Sequence, residues 1–148
     1  MYGYETLINE GTDKICTAIV VKEGISLTNI KLLPSSRGMA GLFKDTWLIN
    51  IYAPSGAENR HEQKKMFTHD LGYLLPTCQR DIVLAGDFNC VISPSDCTGS
   101  PNTSKALSST IQGLALHDVW ESPSQQPHYS HYTNAGATRI DRIHIIVL

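Results

Sequence analysis

Two polar side chains set two apart, Asp87 and Asn89, close an apolar run in the segment Asp81-Ile82-Val83-Leu84-Ala85-Gly86-Asp87-Phe88-Asn89. The stretch Ile82 to Ala85, bounded by charge, reads as a short buried strand. Residues i and i+2 of an extended chain point to one side, so a carboxylate and a carboxamide are presented to one spot. Carboxylates hold hard cations through oxygen and move protons. The same residues also read as a turn, because Gly, Asp and Asn are common turn formers. Three further segments carry polar groups at strand ends. Asn50-Ile51-Tyr52-Ala53-Pro54 follows the apolar Trp47-Leu48-Ile49, Tyr129-Ser130-His131-Tyr132-Thr133 puts hydroxyls at the start of a loop, and Arg139-Ile140-Asp141-Arg142-Ile143 opens a last apolar strand with a carboxylate.

The elements that must position these groups are strand-rich, with two helices. Ile15 to Lys22 and Ser26 to Leu33 read as strands, and Met39 to Phe43 with Thr46 to Tyr52 as a hairpin about Lys44-Asp45. Between Glu58 and Leu75, Phe67, Leu71, Leu74 and Leu75 recur at helical spacing. Ser93 to Ser104 is a polar loop, Leu107, Ile111 and Leu114 mark a second helix, and Ser122 to Pro127 is another loop. Strands follow around His128 to Thr133 and Thr138 to Val147. Trp47 and Trp120 are expected in the core. Asn50 adjoins Tyr52 but is left out of the candidate site.

Composition sets bounds. The 148 residues suit one domain, 1–148, and 41% hydrophobic residues are enough for a core. No apolar run nears membrane-spanning length and no secretory leader is visible, so a nuclear or cytoplasmic location is expected, with no membrane partner. The formal charge of −2 excludes a globally basic nucleic-acid coat. Local clustering of Arg37, Lys44, Arg60, Lys64, Lys65, Arg139 and Arg142 is left open; Lys64-Lys65 reads first as a solvated surface pair. Cys16, Cys78, Cys90 and Cys97 contain no C-x-x-C pair, which argues against zinc and for reduced thiols. His128 and His131 read as loop histidines, with phosphate or metal contact as the other reading.

The order NIYAP, GDFN, YSHYT, RIDRI resembles the endonuclease/exonuclease/phosphatase superfamily, and within it the apurinic-type endonuclease domain of non-LTR (LINE-like) retrotransposons. The resemblance runs from about Gly3 to Ile146. It implies an α+β fold, a four-layer α/β/β/α sandwich with the site at one end, here incomplete. It also implies Mg²⁺ (or Mn²⁺) as cofactor, DNA as partner, and a reverse transcriptase domain downstream in an intact element. By the same resemblance, Asp87 stands beside the scissile phosphate, aligning water or protonating the leaving group. Asn89 and Tyr52 donate hydrogen bonds to phosphate oxygens, Asp141 orients a catalytic His, and Ser130 takes the place of a hydroxyl that contacts substrate.

Two motifs of that family are absent: the Gln-Glu pair whose Glu is the principal metal ligand, and the closing Ser-Asp-His. No metal ligand is therefore assigned, and the sequence reads as an interior piece of the domain. Catalytic groups act as a unit, so little or no nuclease activity is expected of the chain by itself, and sheet edges left exposed by missing strands make it expected to be poorly stable. Two other readings stay open: a catalytically dead retroelement remnant, and a phosphomonoester or phosphoinositide phosphatase on the same scaffold.

Overall fold

The computed structural model describes residues 3–12, 15–77, 80–100, 103–120 and 128–146. The expected loop at 122–127, Cys78 and Val147 lie outside them. Six strands form a mixed sheet: β3 (Thr28–Leu32), β4 (Gly38–Phe43), β5 (Thr46–Tyr52), β6 (Asp81–Asp87), β10 (Asp141–Ile146) and β7 (His117–Asp118), in that order. A second sheet pairs β1 (Tyr4–Glu10) with β2 (Cys16–Lys22), and a small hairpin pairs β8 (His131–Thr133) with β9 (Gly136–Thr138).

Alternation along the strands decides the layers. In β5, Trp47, Ile49 and Ile51 are buried in one cluster with Phe67, Leu71, Leu74 and Leu107 of the helices. The opposite face meets the β1–β2 sheet, where the Asn50 amide donates to the Ala18 carbonyl at 2.9 Å. Asn9 ties the layers again, donating to the carbonyls of Leu33 and Gly38, both at 3.0 Å. The fold is thus the expected α+β sandwich, seen here as a helical layer, a six-stranded sheet and a two-stranded sheet. Asn50, left out of the candidate site, thus ties one sheet to the other.

The first helical region differs from the expected single helix. A 3₁₀ turn at Ala57–Asn59 leads into α1 (Arg60–Lys65), a widened π turn over Met66–Asp70, and α2 (Leu71–Leu74). Within the widened turn the Phe67 carbonyl accepts the Thr110 hydroxyl, 3.1 Å away, from α3 (Lys105–Gly113). β1 was not expected as a strand. Its hydropathy is inverted: Asn9 is buried while Tyr4 and Ile8 are exposed.

Gly86 is required by the β5–β6 contact. Its φ is +139°, and a Cβ there would overlap the Ile51 carbonyl oxygen. The obstacle is the Ile51 main chain, which cannot swing aside as a side chain could, so Gly86→Ala is expected to cost about 2–4 kcal/mol. Urea unfolding measures this, and an unchanged midpoint would refute the close approach.

Arg142 and His144 point into the helix-side core, as alternation in β10 dictates. His144 is fully buried, packs its ring edge-on against Phe88 at 5.5 Å, and neither ring nitrogen finds a partner among the described residues. Burial, opposed by Asp118 and aided by Arg142, pushes its pKa down to about 4 from 6.5. Between those values the unfolded chain binds the proton that the folded chain refuses. Stability held above pH 6.5 is therefore lost as pH falls toward 4. Thermal melts should show a smaller acid loss for His144→Leu than for the native chain; equal losses would count against this assignment.

Candidate active site

Three adjacent strands end in one row. In the parallel pair β5–β6, Tyr52 lies opposite Asp87; in the antiparallel pair β6–β10, Asp141 lies opposite Asp87. The three residues sit at the same sheet end, and alternation puts their side chains on the face away from Ile51, Leu84 and Arg142. Asp87, Asp141 and Ser130 line one cavity of about 410 Å³ together with Trp120, His128 and Tyr129. Tyr52 and Asn89 adjoin Asp87 but are not among the lining residues.

The chain leaves the strand at Asp87. Asn89 has φ +48°, and Asp87 Oδ1 accepts the Asn89 backbone N–H at 2.8 Å. The chain therefore turns here, as Gly, Asp and Asn allow, and the expected i, i+2 alternation does not continue to Asn89. The Asn89 side-chain amide donates to the Ala53 carbonyl at 2.8 Å. That bond joins the NIYAP and GDFN segments and commits one of the two amide N–H groups. Burial raises the Asp87 pKa above the ordinary carboxylate value; the Asn89 N–H opposes this, the Asp141 charge adds to it, and His131 offsets part of it.

Ser130 grips the start of β10. Its hydroxyl oxygen accepts the N–H groups of Ile140 (3.2 Å) and Asp141 (3.0 Å). Two acceptor bonds leave the hydroxyl hydrogen to donate. Tyr52 is part-buried, with the Arg37 guanidinium over its ring at 5.1 Å.

Behind the row lies a network of four charges. Arg139 reaches Asp96 (2.8 Å) and Asp118 (3.0 Å); Arg142 pairs with the same two acids. Burial raises the Asp96 pKa, but the Arg139 hydrogen bonds, the Ser93 N–H and the Arg142 charge bring it net below the ordinary value. Arg139 and Arg142 are thereby paired with buried acids, so they are neither solvated surface charges nor part of the local basic cluster that the sequence left open. Their pairing also leaves the Asp141 carboxylate outside the ion pairs.

Trp120 corrects a second expectation. It is 48% exposed, not core, and its ring lies 5.5 Å from His128, both lining the cavity. It follows β7, the last strand in the order of the six-stranded sheet. Trp47 is buried as expected. Of the cysteines, Cys16, Cys90 and Cys97 are free thiols, and burial pushes Cys90 up to about 12, which makes it inert.

A family model described as the Endonuclease/Exonuclease/phosphatase family matches residues 5–143, nearly the whole chain. The chain belongs to that family. Among solved structures, an AP endonuclease from Archaeoglobus fulgidus is similar at a TM-score of 0.77 and 17% identity, covering 97% of this chain and 66% of that one. A 3′ phosphatase from Neisseria bound to a product DNA hairpin is similar at 0.74 and 18%, covering 97% and 66%. A humanized D. rerio TDP2 follows at 0.65 and 16%, covering 96% and 60%. The chain thus spans about two thirds of the length of these structures. No curated protein matches it. No helix among the described residues is long and apolar enough to cross a membrane.

The family's dependence on a divalent cation can be set against this donor set. Among the described residues no group of three or more His, Cys, Asp or Glu side chains is placed to hold a metal ion. Asp87 and Asp141, opposite each other across β6 and β10, nonetheless supply two carboxylates. That pair fits a magnesium ion keeping most of its waters, since Mg²⁺ commonly takes only one or two protein carboxylates. It does not fit an all-protein cage.

Proposed function

We propose that this domain hydrolyses phosphodiester bonds of DNA, as the endonuclease of a non-LTR retrotransposon. The observation that carries the reading is the row Tyr52–Asp87–Asp141, with Asp87, Asp141 and Ser130 facing one cavity. Hydrolysis needs an oriented water, neutralised phosphate charge and a proton for the leaving oxygen. Asp87, with its raised pKa, aligns the water or gives the proton. The uncommitted Asn89 N–H and the Tyr52 phenol donate to phosphate oxygens. Ser130 positions Asp141 through its backbone. Asp87 and Asp141 would hold a hydrated Mg²⁺, which supplies positive charge against the phosphate. The exposed Trp120 ring gives a flat face for a base or sugar. The retrotransposon assignment rests on the wording of the four segments, and on that reading a reverse transcriptase belongs to the same element.

With two acids in place of a full ligand set, turnover is expected to be slow. A second reading, a remnant that binds DNA without cutting it, is favoured by the lack of a three-ligand cluster among the described residues. A labelled duplex with a terminal 3′-phosphate and Mg²⁺ separates the readings. Slow internal cleavage supports the endonuclease, release of the terminal phosphate alone supports the phosphatase, and neither product supports the remnant.

A further inference from the structure

A second cavity, of about 600 Å³, opens between α1 and the start of α3, away from the acid row. Arg60 and Lys64 reach it from α1 and Lys105 from α3; Thr68, Thr103 and Ser109 add hydroxyls, and no Asp or Glu lines it. The formal charge of the whole chain is −2, so an acid-free cleft with three cations does not follow from composition. Among the described residues none of the three forms an ion pair. The neighbouring Lys65 behaves otherwise: it pairs with Asp70 at 3.6 Å and faces a different cavity, shared with Glu62. The Lys64-Lys65 pair is thus split, one lysine beside an acid and one lining the cleft.

The cleft is tied to the acid row through the helix itself. Gln63, buried between Arg60 and Lys64, donates to the carbonyls of Pro54 (2.9 Å) and Asn89 (3.2 Å). One side of α1 therefore clamps the turn carrying Asp87 and Asn89, while another presents cations. At the opposite wall Ser104 caps α3 by accepting the Leu107 N–H at 3.2 Å, and the positive end of that nine-residue helix adds to the field. Compact cations interleaved with hydroxyls, without acids, suit a chain of phosphates.

We propose that the α1–α3 cleft docks backbone phosphates of duplex DNA away from the bond being cut, through Arg60, Lys64 and Lys105. This rests on the reading that DNA is the substrate. It is tested by equilibrium binding of a fluorescent 20-bp duplex to the full chain in EDTA, where cleavage does not intervene, across a series of salt concentrations. Removing two phosphate contacts in the double variant Lys64→Ala, Lys105→Ala should lower the slope of log K against log salt by about 2. Lys65→Ala should keep the native slope. Both cleft lysines are exposed, and a thermal melt checks that the double variant folds. Native affinity and slope in the double variant would overturn the proposal, as would a native chain with no salt-dependent binding. Hydrolysis of a dinucleotide too short to reach the cleft reads the acid row separately. Cleft-dependent binding without hydrolysis would keep this inference and sink the hydrolase; Asp87-dependent hydrolysis with cleft-independent binding would do the reverse.

Discussion

Arg142→Ala is expected to destabilise the chain by about 3–5 kcal/mol, the usual cost of removing one partner from a buried ion pair. The Arg142 side chain is only 1% exposed and binds both Asp96 and Asp118, themselves 6% and 4% exposed. Its loss leaves two buried carboxylates to Arg139 alone. Asp96 also accepts the N–H groups of Ile92 and Ser93, so strain there loosens the loop behind the site. Adding Asp118→Asn should recover part of the loss, because it removes one of the orphaned charges. Urea unfolding gives the numbers; a loss under about 1 kcal/mol would mean that water reaches the network and screens it.

That network shows where the sequence stops being readable. Arg139 and Arg142 lie in a basic-looking stretch, yet Arg139 binds an acid 43 residues away and Arg142 one 24 residues away. No local pattern carries such pairings. Strand alternation was legible where one face is apolar, as in Trp47, Ile49 and Ile51, and it sets the register that aligns Tyr52 with Asp87. It failed in β1, where Asn9 is buried to bond two carbonyls of the other sheet while Ile8 faces out. Trp120 was misplaced because ring size argues for burial, and only topology places it after the last strand in the sheet order. Asp87, Asp141 and Ser130 were recoverable from their motifs and do converge, whereas Lys105 had no motif to mark it and became visible only with α3 docked beside α1.

Asp87→Ala should lower any metal-dependent hydrolysis by about 10²–10⁴-fold, the range for removing a group that moves protons in the transition state. Asp87 is the centre of the row, in register with Tyr52 on one side and Asp141 on the other, and it also holds the Asn89 turn through its own carboxylate. Asp87→Asn keeps a side-chain oxygen for the Asn89 N–H while removing the acid. It should lose activity like the alanine variant but keep the native melt, which separates chemistry from turn geometry. If Asp87→Asn retains native activity, the carboxylate has no part in the reaction.

The central claim is that the acid row cuts DNA. The decisive measurement is a long time course of supercoiled plasmid nicking by the purified chain with Mg²⁺ and with EDTA, beside Asp87→Ala. Slow nicking that needs Mg²⁺ and vanishes in the variant is the expected result. Nicking that persists in Asp87→Ala, or a native chain that leaves the plasmid intact throughout, would contradict it.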